Sequence, residues 1–227
     1  MKLFILPFDS AQSKRNRRIF LYLLLLAFLL AACVPTETPS PDVEIVDVYA
    51  TLATQPWLPG VFACAPAGTA IRVANDTINA DISLRLGEPE LLVVPTYQIG
   101  TEEILVVIQR QSPLQNMTVE EVRELFAGRG DPSVQVWVYA SGDDVQQVFE
   151  QAVMQGRSVT SLARLAISPQ HMSDTLNNGP NTVGILPRHW KAGDSRFVYT
   201  IPDVPVLALV KEEPQGAMQA IIACLQK

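Results

Sequence analysis

The feature that most constrains the fold is a pair of long apolar runs, Ile104 to Ile108 and Val204 to Val210, separated by a block, 110–205, with strand and helix patterns of its own. A strand that is apolar without alternation is buried on both faces, as in the middle of an α/β sheet. Around these runs, short β-branched segments alternate with helical patterns, which is the signature of α/β units about a mainly parallel sheet. We read the two runs as crossings between two lobes. On this reading 43–109 with 206–227 forms lobe 1 and 110–205 forms lobe 2.

Local signals fill in the elements. A strand is expected over 45–50, running into a helix announced by Thr54 and Pro56 and buried through Leu58, Val61 and Phe62. Short strands are expected over 71–74 and 82–86. Thr118 with Glu121 has capping-box spacing, Val122, Leu125 and Phe126 give that helix an apolar face, and Gly128 ends it. A strand over 134–139, a helix over 143–154 and a further helix over 160–166 follow. Strands are then expected over 182–186, 197–201 and 204–210, with a last helix from Pro214 to Cys224.

The beginning of the chain reads as an export signal. Lys14, Arg15, Arg17 and Arg18 precede an apolar run, 19–30, that is short for a bilayer span of roughly 20 residues and suits a signal h-region. Leu30-Ala31-Ala32-Cys33 follows and looks like a lipobox, in which small residues admit the signal peptidase before a lipid-bearing cysteine. Residues 1–32 are therefore expected to be a lipoprotein signal peptide, and 33–42 the lipidated Cys33 with a stiff Pro/Thr/Ser spacer. The expected location is the cell membrane, lipid-anchored on its extracytoplasmic face; an uncleaved membrane anchor is the alternative. Lipidation of Cys33 leaves Cys64 and Cys224, which an oxidising compartment would bridge, although two buried free thiols would also fit.

From residue 33 onward there are 12 Lys and Arg against 22 Asp and Glu, a formal net charge of −10. Generic nucleic-acid binding, which needs a basic face to displace counterions, is not expected. A small anion is not excluded by net charge, because local donors set a site. No spacing of Cys or His suggests a metal or a cofactor, and none is expected.

Several strings together resemble the phosphate-receptor-like branch of ABC-transporter solute-binding proteins. They are Glu103-Ile-Leu-Val-Val-Ile-Gln109, then Ser112-Pro113-Leu114, then 117–128 ending Leu125-Phe126-Ala127-Gly128. Trp137-Val-Tyr-Ala-Ser141-Gly142 before a helix is similar to that family's Ser-Gly turn. Thr182-Val183-Gly184-Ile185 resembles its late strand, and Asp81-Ile82-Ser83-Leu84-Arg85 its first-lobe segment. The resemblance implies an α/β, two-lobed type 2 periplasmic-binding-protein-like fold with mainly parallel sheets flanked by helices. It implies a monomer that captures a small polar solute or anion and presents it to ABC permease subunits.

In such a cleft, oxygens of a ligand are held by amides at helix beginnings and by hydroxyls. The candidate ligand-binding residues are Thr51, Thr54, Ser83, Arg85, Tyr97, Ser141, Gly142, Asp143 and Thr182, most of them near strand ends, where α/β sites form. The chain departs from the family at one place. Asp143-Asp144 follows the Ser-Gly pair, where phosphate-holding members have Thr, and no Arg stands in 137–140. One carboxylate roughly 4 Å from a phosphate charge costs about 4 kcal/mol at an effective dielectric near 20. Phosphate itself is therefore disfavoured.

Other residues take ordinary roles. Ser141 lacks a nearby His and the Gly-x-Ser-x-Gly pattern, so no enzyme is expected. His171 and His189 stand singly, and Trp57 and Trp137 suit a core or a cleft wall. Asn116-Met117-Thr118 matches a glycosylation sequon without meaning in a bacterial lipoprotein. The rival to solute capture for transport is a binding-fold envelope adaptor or sensor with no transported ligand.

Overall fold

The computed structural model describes residues 43–89, 91 and 93–227. The expected signal segment 1–32, Cys33 and the spacer to residue 42 lie outside the described residues. Among those described, no helix is long and apolar enough to cross a membrane.

The eight strands are β1 (Glu44–Ala50), β2 (Thr69–Val73), β3 (Ile82–Leu86), β4 (Thr96–Ile108), β5 (Gln135–Val138), β6 (Arg164–Leu165), β7 (Thr182–Pro187) and β8 (Arg196–Val210). They are ordered β2-β1-β3-β8-β4-β7-β5-β6. Pairing is parallel at both flanks, β2 with β1 with β3 and β7 with β5 with β6, and antiparallel where β4 and β8 run through the middle. The α/β fold class expected from the alternating patterns is the one observed.

β4 and β8 are long because each serves two neighbourhoods. The first part of β4 and the last part of β8 pair near β3, with Tyr97 opposite Ala208. The second part of β4 lies between β7 and the first part of β8, with Val106 opposite Ile185 on one side and Tyr199 on the other. The register slips between Glu102 and Ile104, opposite Pro202-Asp203, and Asp203 takes φ 54°. Such a bulge sharpens local twist, so the two half-sheets turn relative to each other at this crossing. Ile104, Leu105, Val106, Val107 and Ile108 have no exposed surface. Burial of each such side chain contributes about 1.5–3 kcal/mol.

The helices are α1 (Leu58–Ala63), α2 (Val119–Phe126), α3 (Asp144–Phe149, continued by one wide turn, Glu150–Met154), α4 (Pro169–Asn178) and α5 (Gly216–Leu225). In α2 the capping box forms as its residues imply: Glu121 N–H donates to the Thr118 hydroxyl, and Thr118 N–H to the Glu121 carboxylate. Phe126 of α2 meets Phe149 of α3 at 4.6 Å between ring centroids, joining the two helices over the second half-sheet. Cys64, just past α1, and Cys224 in α5 form a disulfide.

Four local expectations need correction. The helix expected over 160–166 is a turn followed by the short edge strand β6, with Leu162 and Ile167 exposed, so it has no apolar face to bury. α4 was not foreseen, although Ser168 caps it, donating no bond itself and accepting one from His171 N–H, while Pro169 opens it. The strands expected over 197–201 and 204–210 are one strand, because the bulge absorbs Pro202 without ending the ladder. Phe62, expected in the buried face of α1, is 48% exposed.

Candidate functional site

The first side of the site arises where β1 ends before β3 does. Thr51 N–H still donates to Leu84 O, at 3.1 Å. The Thr51 carbonyl then turns away to accept from Thr54 N–H at 3.0 Å. A parallel ladder would have used that carbonyl for the next amide of β3. With it gone, Leu86 N–H is free to point into the gap beyond the β1 end.

The second side is the start of α3. Asp143 is its N-cap, accepting from Val145 N–H at 3.0 Å, and Asp144 is its first residue. One oxygen of Asp144, Oδ2, crosses the gap and accepts from both the Thr51 hydroxyl at 2.7 Å and Leu86 N–H at 2.8 Å. Its other oxygen accepts from Val145 N–H at 3.0 Å. The side chain is 4% exposed.

Further contacts continue the seam. Arg85 Nη2 donates to Gln147 Oε1 at 2.8 Å, and Trp190 Nε1 to Ala53 O at 3.0 Å. Gly87 stands at φ +65°, and a Cβ there would come within 2.4 Å of Val148 Cγ2, so only glycine lets β3 end this close to α3. Near the crossing, the buried Glu102 contacts His189, whose ring lies 5.6 Å from that of Trp57.

A cavity of about 380 Å³ opens beside Asp144. Thr51, Ser83 and Arg85 line it from the first half-sheet, Gly142, Asp143 and Asp144 from the start of α3, and Tyr49, Leu52 and Thr77 are also on its wall. Burial, then the adjacent Asp144 carboxylate, pushes the Asp143 pKa up to about 6. Tyr139 is 2% exposed with an unpartnered hydroxyl; burial and then the charges of Asp143 and Asp144 push its pKa up. Desolvation lowers the pKa of the half-buried Arg85, opposed by the Asp144 charge.

The residues singled out in the sequence therefore divide. Thr51, Ser83, Arg85, Gly142 and Asp143 come together on one cavity. Ser141 lines an adjoining hollow of about 440 Å³ with Arg85 and Gln147. Thr54 lies fully buried behind Thr51, its hydroxyl donating to Leu84 O at 3.1 Å. Tyr97 is elsewhere, donating to Glu213 at 2.8 Å, and the Thr182 hydroxyl donates to Gly179 O at 2.8 Å just past α4. Leu86 N–H and Asp144 as an acceptor were not anticipated. A backbone amide leaves no mark in a sequence, although the paired aspartates did. Among the described residues no group of three or more His, Cys, Asp or Glu side chains is placed to hold a metal.

No family model matches the chain, and no curated protein matches it in sequence. Solved structures do. A protein from Clostridium perfringens assigned as a phosphate ABC transporter substrate-binding protein, with bound phosphate, superposes with a TM-score of 0.66 at 12% identity, over 80% of this chain and 93% of that one. An ABC-type phosphate transport receptor from Vibrio cholerae gives 0.56 at 14% identity, over 80% and 93%. The CcmR regulatory domain of Synechocystis PCC6803 in complex with 2-PG gives 0.61 at 13% identity, over 81% and 96%. The chain has a type 2 periplasmic-binding-protein-like fold, a class shared by transport receptors and regulatory domains. At these identities the likeness concerns the fold alone.

Proposed function

We propose that the protein is a lipid-anchored extracytoplasmic solute-binding protein, tethered through Cys33. Its two lobes close on a small polar ligand and present it to ABC permease subunits. The observation that carries this reading is the cavity shared by Thr51, Ser83 and Arg85 on one side and Gly142 and Asp143 on the other. Such concave sites with a few convergent polar groups are where small ligands bind. The slipped register at Glu102 and Pro202-Asp203 supports hinge motion about the paired crossing strands.

A panel of sugars, amino acids, amines and oxyanions tested against the melting temperature of the protein should yield one stabilising compound. A flat panel counts against solute capture. Labelling cells with an alkyne fatty acid tests the anchor separately: the label is expected on the wild type and absent from Cys33→Ser. Equal labelling of both would refute it.

A second reading, an envelope sensor or adaptor that transports nothing, is favoured by Asp144, which already uses two donors in the cleft. It is supported when affinity capture from membranes returns one envelope protein and no permease subunit.

A further inference from the structure

We propose that Asp144 is a built-in occupant of the cleft, an internal carboxylate that bridges the half-sheets where an external oxyanion would, holding them together without solute and turning oxyanions away. This rests on the proposed binding role of the cleft and narrows the ligand class it takes.

The argument starts from the donors. Thr51 and Leu86 belong to different segments of the first half-sheet, yet both donate to the same oxygen, Oδ2, of a residue from the second half. Their convergence follows from the early end of β1, which frees the Leu86 amide and leaves the Thr51 hydroxyl over the gap. Two donors meeting at one point between two bodies form an oxygen-binding site, and charged acceptors make the stronger bonds there.

Asp144 fills that point from inside the chain. Its charge has no Lys or Arg within ion-pair distance among the described residues, since Arg85 spends its guanidinium on Gln147 Oε1 and Leu86 O. Three donors, the Thr51 hydroxyl, Leu86 N–H and Val145 N–H, hold the buried carboxylate directly, and the Arg85 charge favours it from farther off. An oxyanion entering from solvent would have to displace it or sit beside it, and a buried like-charge contact opposes both. Asp143, on the wall of the remaining cavity, adds to the barrier. Because Asp143 and Asp144 outnumber Arg85 on its wall, the ligand class left for that cavity is a neutral polar solute or one offering a cationic donor.

The same bond network closes the domain. A solute-binding cleft ordinarily gains its closing contacts from the ligand. Here the Asp144 bridge supplies part of them, so the half-sheets are joined across the gap before a solute in the remaining cavity adds its own contacts.

The test uses the full chain in detergent, as wild type, Asp144→Ser and Asp144→Asn. Each is measured for radius of gyration by small-angle scattering and for melting temperature with inorganic phosphate or sulfate. The wild type is expected to be compact and unmoved by either anion. Asp144→Ser removes the bridge, so it is expected to expand and to gain a melting temperature that climbs with phosphate or sulfate concentration. The inference is overturned if the wild type is stabilised by either anion. It is overturned equally if Asp144→Ser folds, stays as compact as wild type and ignores both.

Should Asp144→Ser fail to fold, Asp144→Asn decides. Its amide oxygen retains the shape and loses the charge, so a lower melting temperature and a larger radius are expected, and values equal to wild type refute the bridge. A flat solute panel on wild type, with an oxyanion response in Asp144→Ser, would sink the transport reading and leave the bridge standing.

Discussion

Replacing Cys224 by Ser removes a cross-link whose effect is set by the chain it closes, which spans a separation of 160 residues between Cys64 and Cys224. In the chain-entropy picture such a loop restricts the unfolded chain by about 5 kcal/mol, and native disulfides removed from domains typically cost roughly 2–5 kcal/mol. That is a large share of a total stability of about 5–15 kcal/mol. The folded contacts should change little, because α5 still packs on β1 and β4 and touches α1 without the bond. Urea denaturation of the wild type, oxidised and reduced, and of Cys224→Ser would measure the effect. The reduced protein and the variant are expected to agree, both unfolding at lower urea. If all three forms unfold within about 1 kcal/mol of one another, the bond does not restrict the unfolded chain as argued.

Three other substitutions test separate parts of the account. Asp143 has a folded pKa of about 6, above that of an unfolded aspartate, so its contribution is full below pH of about 4 and is lost as pH rises through 6. Denaturation at both ends of that window should show Asp143→Asn removing a loss of about 2 kcal/mol, allowing for partial exposure; an unchanged pH slope refutes the assignment. Gly87→Ala forces a left-handed backbone on an L-residue and drives a methyl into Val148, so its thermal unfolding should show a loss of at least about 1–2 kcal/mol. A neutral result would mean the seam between β3 and α3 is loose. Thr118→Ala breaks the capping box of α2, with an expected cost of about 1 kcal/mol in chemical denaturation, and no change would mean the cap is idle.

How much was legible in the sequence depended on whether a signal was local. Ile104 to Ile108 announced a doubly covered strand by composition alone, and Thr118 with Glu121 announced a helix start by spacing alone. The strands expected over 197–201 and 204–210 are joined because Pro202 sits at a bulge, where β4 keeps the ladder going on either side. The unforeseen α4 buries only a narrow stripe, including Met172 and Leu176, too sparse to register as a period.

The site was half visible for the same reason. Thr51, Ser83, Arg85, Gly142 and Asp143 stand at segment ends, which sequence patterns locate. Which carbonyl turns away from a ladder, and which amide is thereby freed, depends on where β1 stops relative to β3. Asp144 read as a charge hostile to phosphate, and the structure adds that the same charge takes up the donors. Tyr97 and Thr182 stood among the candidates, Thr182 through the string that resembles the family's late strand, but their hydroxyls are used by Glu213 and by Gly179 O.

Native mass spectrometry of the protein, gently purified from the cells that make it, bears most directly on whether the hollow beside Asp144 holds a solute. One small, non-anionic adduct at a one-to-one ratio is predicted on the wild type, and its loss from a Ser83→Trp variant that fills the cavity. Bare protein throughout, or an adduct that Ser83→Trp retains, would contradict the claim that this gap is a binding site.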